Sequence, residues 1–139
     1  MKKYELVETD IIKIGKGNVY RIKAVRDFGV VKAGDLGGYI ESEKNLSHEG
    51  NAWVYKNAKV FEDSFVSENA RVYGGVKVFG NAKIYGNSMV SGSAKVYENA
   101  EVYEDAKVSG NATVIGNAKV CRNMWVRGDT IILWIEKSY

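Results

Sequence analysis

The chain has 139 residues, a length for one domain, and its 45% hydrophobic content is ample for a core. A formal charge of +3 is too small to argue alone for a nucleic-acid partner, and a single cysteine, Cys121, excludes a disulfide framework. The opening MKKYELVETD lacks the apolar region of a signal peptide and no apolar run could span a bilayer, so a cytoplasmic protein with no membrane partner is expected.

In chain order, residues 3–28 read as short strands at Tyr4–Val7, Ile11–Ile14 and Val19–Val25. Gly15-Lys16-Gly17-Asn18 between the last two reads as a hairpin turn. Its Gly-Lys-Gly lacks the spacing of a phosphate loop and no helix follows, so a plain turn is the better reading.

From Val54 to Ile132 every sixth residue is Val or Ile, without an insertion or a polar exception. Counting that residue as the first of a hexad, the fifth is almost always small, as at Ala58, Ser64, Ala82 and Ala118. First and fifth positions are two apart across the hexad boundary, so both point to one face of an extended strand, the interior. β-Branched residues favour that extended backbone. The fourth position is nearly always Asn or Asp and the third often Gly, so a left-handed corner is expected at the fourth residue, relaxed by the third. One hexad cannot bury itself, whereas stacked coils of parallel strands bury all of them together. Proline, which would interrupt such ladders, is absent.

These hexads resemble the hexapeptide-repeat family, which forms a left-handed parallel β-helix with three hexads per coil. The resemblance implies an all-β, single-stranded left-handed parallel β-helix, here with a small N-terminal β cap. Carried backward from Val54, the count gives hexads starting at Leu36, Ser42 and His48. The expected organisation is a β-hairpin cap over 1–35 and a β-helix over 36–139. Within the helix, 36–53 form a degenerate first coil, 54–132 the regular hexads and 133–139 the end of the C-terminal strand. Residues 31–55, VKAGDLGGYIESEKNLSHEGNAWVY, resemble the YdcK-like branch of that family, found in bacteria and phages and commonly labelled transferases. The label follows fold similarity and says little about chemistry.

The resemblance also brings one catalytic candidate. Hexapeptide acyltransferases use a His as general base and bind acyl-CoA in a cleft between neighbouring β-helices. His48 is the only histidine here, and no extruded loop interrupts residues 54–132, so a locally satisfied ring is preferred to a CoA-dependent acyltransferase. Acetyl-CoA belongs to that alternative alone; no other cofactor and no metal is expected. Glu62-Asp63 and Glu104-Asp105 occupy corner positions, and corner chemistry accounts for them.

The outward sixth and second positions sort into three faces when every third hexad is taken. One carries Lys59/Phe61, Lys77/Phe79, Lys95/Tyr97, Thr113/Ile115 and Ile131/Leu133. The second carries Trp53/Tyr55, Arg71/Tyr73, Met89/Ser91, Lys107/Ser109 and Trp125/Arg127, and the third Phe65/Ser67, Lys83/Tyr85, Glu101/Tyr103 and Lys119/Cys121. The first face grades from Lys and aromatic pairs into bare Ile115, Ile131 and Leu133, as a partner surface would. The resulting reading is a non-catalytic interaction protein, a phage-encoded inhibitor or accessory factor by resemblance, binding through Lys59, Phe61, Lys77, Phe79, Lys95, Tyr97 and Ile115. A nucleic-acid binder in which Lys59, Lys77, Lys95 and Lys107 contact phosphates and Phe61, Phe79 and Tyr97 stack on bases is a further alternative. Apolar residues crowd the far end, so a homodimer through Trp125, Ile131, Leu133 and Trp134 is expected.

Overall fold

A computed structural model describes residues 2–133; Met1 and residues 134–139 lie outside that description, and Trp134 with them. The protein is all-β, and its parallel coils stack into a β-solenoid of about five turns. Each coil contributes one two-residue strand to each of three sheets, with successive coils offset by eighteen residues.

The first face holds β5 (Lys59–Val60), β8 (Lys77–Val78), β11 (Lys95–Val96), β14 (Thr113–Val114) and β17 (Ile131–Ile132). The second holds β4 (Trp53–Val54), β7 (Arg71–Val72), β10 (Met89–Val90), β13 (Lys107–Val108) and β16 (Trp125–Val126). The third holds β6 (Phe65–Val66), β9 (Lys83–Ile84), β12 (Glu101–Val102) and β15 (Lys119–Val120). The Val/Ile series lies inside as the spacing requires, buried from Val54 to Val126 beside the small fifth residues. Ser64 and Ser88 are tolerated in that interior because each hydroxyl donates to a carbonyl three residues back, Phe61 O and Tyr85 O, both at 2.8 Å.

The left-handed residue of each corner is the third of the hexad, not the fourth. Positive φ falls at Lys56, Glu62, Glu68, Glu98, Glu104 and Arg122 and at glycines such as Gly80 and Gly92. The fourth residue stays in the ladder: Asn81 N–H donates to Glu98 O at 2.8 Å, and Asn87 N–H to Glu104 O at 2.8 Å. Its side chain joins a second ladder, in which Asn69 meets Asn87 at 3.2 Å and Asn81 meets Asn99 at 3.3 Å. A left-handed residue with a Cβ costs on the order of 1 kcal/mol. At three such corners the side chain gains a bond in return. The carboxylates of Glu62, Glu68 and Glu104 accept from the N–H of Gly80, Gly86 and Arg122, each at 2.8–2.9 Å in the coil above.

The N-terminal region differs from its expected form in four ways. Tyr4–Ile14 is one strand, β1, with a register shift between Val7 and Ile11. Gly15 and Lys16 form the turn to β2 (Gly17–Ala24), which pairs antiparallel with β3 (Leu36–Ile40), so the hairpin lengthens the first sheet. The phase of the first coil is also shifted. Ile40 pairs with Val60 and Leu46 with Val66, both fully buried, while Leu36 is exposed. The Leu36–Ser42–His48 count therefore fails, because the corner between Leu46 and Val54 is two residues longer than a regular hexad. Finally Trp53, in an outward position, is buried against Phe28, with centroids 5.2 Å apart, and Tyr4, at 6.3 Å.

Glycine is required where β3 crosses the first coil: a Cβ on Gly37 would lie 2.6 Å from Val54 O, and one on Gly38 2.6 Å from Ala58 O. Cationic donors close this end. The buried Lys3 ammonium donates to Ala52 O at 2.8 Å and Gly50 O at 3.3 Å, and lies 4.8 Å from the Phe28 ring centre. Arg21 donates to Gly37 O at 2.7 Å and Lys56 O at 2.9 Å. These bonds satisfy carbonyls that have no coil beneath them. Burial lowers the pKa of Lys3 to about 8, with Arg26 adding to the shift.

Candidate interaction faces

Strand register converts the outward positions into columns along the solenoid axis. On the first face Lys59 stands beside Lys77, and Lys77 beside Lys95. Next to them Phe61, Phe79 and Tyr97 stack, with ring centroids 5.0 and 4.6 Å apart and planes within 8° and 6° of parallel. Ile14, at the tip of the β1–β2 hairpin, joins Phe61, Phe79, Tyr97, Lys77 and Lys95 around a shallow groove of about 340 Å³. Below it Arg21 lies over the Tyr39 ring at 4.3 Å and is neutralised by Asp10 at 3.0 Å. The pKa of Lys59 is lowered by burial first and then by Lys77 and Arg21. Among the described residues Lys59, Lys77 and Lys95 make no ion pair.

The third face repeats the construction with the opposite electrostatics. Lys83, Glu101 and Lys119 follow one another in register, so the sign alternates. Tyr85 donates to Glu101 at 2.9 Å and stacks on Tyr103 with centroids 5.0 Å apart. Burial, then that hydrogen bond, raises the pKa of Tyr85. Tyr103 is pushed up to about 12, first by its hydrogen bond with Cys121, which is itself buried.

His48 occupies the long corner of the first coil rather than a strand. Its ring stacks on Tyr4 at 4.1 Å, Nδ1 accepts from Lys3 N–H at 3.0 Å, and Nε2 lies 2.8 Å from Glu43 Oε1. With Nδ1 accepting, the proton resides on Nε2 and is donated to Glu43, whose carboxyl is held below its ordinary pKa by that bond first. Both nitrogens are thus committed to the cap. In the acidic corner pairs Glu62 and Glu104 accept backbone N–H groups, Asp63 pairs with Lys44 at 2.7 Å, and Asp105 accepts from the Asn87 side-chain amide at 3.4 Å. No group of three His, Cys, Asp or Glu side chains that could hold a metal ion occurs among the described residues.

At the far end Trp125, Ile131 and Leu133 are all largely exposed. They do not share one sheet: Trp125 is on the second face, with Arg127 over its ring at 4.2 Å, while Ile131 begins the last strand of the first. Ile115, one coil below, is half-buried. What sequence reasoning did not find was the role of corner glutamates as acceptors for the coil above. The signal was present as Glu at a recurrent third position with Gly eighteen residues later, at Glu62/Gly80 and Glu68/Gly86.

Stacked hexads with a β-branched interior and left-handed corners define a parallel β-solenoid built from hexapeptide repeats. The family model described as the YdcK β-solenoid repeat matches residues 106–122, close to one coil, and together with the fold it supports a YdcK-like β-helix family. No curated protein matches the chain. Among the described residues no helix is long and apolar enough to cross a membrane.

Proposed function

We propose that the protein is a non-catalytic β-solenoid that presents its first face to a macromolecular partner in the cytoplasm, as an inhibitor or accessory factor. The observation carrying this reading is the Lys59–Lys77–Lys95 column. Like charges placed opposite one another in a sheet are destabilising, and among the described residues no carboxylate pairs with them, although Lys59 donates to Asn57 O at 3.3 Å and lies 5.8 Å from the Tyr39 ring centre. The adjoining Phe61–Phe79–Tyr97 column and Ile115 add apolar area to the same surface. A photo-crosslinking residue in place of Tyr97, compared with one in place of Tyr103 on the third face, tests it in native-host extract. An adduct formed from position 97 and not from 103 is expected; no adduct, or the same adduct from both, removes the reading.

The chains are proposed to pair through Trp125, Ile131 and Leu133. Their exposure supports this, since apolar area removed from water contributes about 25 cal/mol per Å². Light scattering at micromolar concentration should give a dimer for the wild type and a monomer for Trp125→Lys/Leu133→Glu. A monomeric wild type removes the proposal.

A further inference from the structure

The lysine column lies between two kinds of corner. On one side the corner residues are Lys56-Asn57, Gly74-Gly75, Gly92-Ser93 and Gly110-Asn111, which include no carboxylate. On the other lies the aromatic column, and beyond it stand three carboxylates: Glu62 and Asp63 are engaged with Gly80 N–H and Lys44, and the exposed Glu98, after Tyr97, makes no ion pair with Lys95. Three ammonium groups therefore stand in adjacent coils, Lys77 and Lys95 exposed and Lys59 half-buried with its ammonium on Asn57 O at 3.3 Å, and none makes an ion pair among the described residues. The complementary surface is acidic.

Geometry narrows what kind of acidic surface fits. Coils stack roughly 4.8 Å apart, so the three lysines span about 10 Å. Two turns of an α-helix rise about 11 Å, so carboxylates at i, i+3 or i+4, and i+7 can meet all three lysines along one helix stripe. An extended strand places same-side residues roughly 6.8 Å apart and runs out of register by the third. The neighbouring helix stripe then lies on the edges of Phe61, Phe79 and Tyr97, where apolar side chains extend the contact into the groove under Ile14. A single-stranded nucleic acid fits less well. It is held by bases stacking on free aromatic faces, and here the rings occupy one another's faces at 4.6–5.0 Å. A second copy of the chain fits no better, since Glu101 is flanked by Lys83 and Lys119, the corner glutamates 62, 68 and 104 are bound to backbone, and Glu98 has Gly80 and Gly116 in the neighbouring coils and so offers a single carboxylate.

Resting on the partner-face reading, we infer that Lys59, Lys77 and Lys95 with Phe61, Phe79 and Tyr97 dock an acidic amphipathic helix of another protein, laid along the solenoid axis. Its carboxylates meet the lysine column and its apolar residues the aromatic column. The probe is a labelled synthetic helix of about 20 residues with Glu on one stripe and Leu on the next. The controls are the same peptide with Gln for Glu, and an oligothymidine strand. Fluorescence anisotropy should show saturable binding of the Glu peptide, weakened about tenfold or more by the Gln change or by Lys77→Glu/Lys95→Glu. Lys77 and Lys95 are exposed, so circular dichroism should show that variant folded. Equal binding by wild type and variant overturns the inference, as does no saturable binding by the wild type. Oligothymidine binding that falls steeply with salt, without peptide binding, also overturns the acidic helix, yet leaves the partner face standing. Failure of the crosslinking experiment removes the face itself.

Discussion

The first and third faces share a backbone, a core and a register, and they differ in how charge is arranged along that register. On the third face Glu101 stands between Lys83 and Lys119, so each neighbouring pair attracts. On the first, Lys59, Lys77 and Lys95 repel one another, and Lys59 is held below its usual pKa by burial first and then by Lys77 and Arg21. The solenoid can therefore neutralise a column within itself, and on one face it does not. The unneutralised column is the one lined by the aromatic groove.

The largest effect should come from the interior that both faces share. Val96→Asp places an unpaired carboxylate among fully buried residues, at several kcal/mol. Loss of the cooperative thermal transition should follow; a soluble, cooperatively folding variant would show the phase of the hexads to be wrong. Next comes the N-terminal end from which all three faces start. Lys3→Met leaves Gly50 O and Ala52 O without their donor and should cost about 2 kcal/mol in urea unfolding at pH 7. Its pH signature has a defined sign. The folded state loses the Lys3 proton near pH 8 whereas an ordinary lysine loses it near 10.5, so between those values the unfolded chain binds more protons. Stability of the wild type relative to Lys3→Met should therefore rise from pH 8 to about 10. Above pH 10 the raised pKa of Tyr4 works the other way in both proteins, since the unfolded phenol ionises first. A flat difference would mean that the ammonium is not buried.

A smaller effect should turn the third face into a copy of the first. Glu101→Lys makes a column of three lysines and removes the acceptor of Tyr85, which should destabilise by about 1 kcal/mol at low salt. Urea midpoints check it, and an unchanged midpoint would mean that column charges do not interact.

The contrast between faces was legible in the sequence because register follows directly from an unbroken count of six. The same count located the interior, since the Val and Ile of the first position and the small residues of the fifth are the pair it sends to one face, and both are buried from Val54 to Val126. Elsewhere local preference misled. Asn and Asp tolerate positive φ, which pointed to the fourth position, but the fourth N–H belongs to the ladder and the third residue takes the turn. The first coil misled for a different reason. Leu36, Ser42 and His48 fit a spacing of six that also puts Ile40 and Leu46 inside as fifth residues; both are buried, yet the longer corner after Leu46 shifts the phase so that they stand opposite Val60 and Val66 and Leu36 is exposed. Trp53 could not be placed from its hexad either, since only the fold brings Tyr4 and Phe28 over it. Of the candidate residues, Lys59, Phe61, Lys77, Phe79, Lys95 and Tyr97 come together on one sheet, while Trp125 lies on a different sheet from Ile131. The commitment of His48 to Lys3 was invisible, because it joins residues 45 apart in the chain, although Glu43 lies only five residues before it.

The smallest expected change bears most directly on the claim that the first face withholds its own counter-charge. Lys77→Glu gives that face the alternating arrangement of the third, with a carboxylate between Lys59 and Lys95. Urea unfolding at low ionic strength should show the variant more stable than wild type by about 0.5–1 kcal/mol, the gain shrinking as salt is added. A variant that is equally or less stable at low salt would contradict the account, because the lysine column would then carry no repulsion for a partner to relieve.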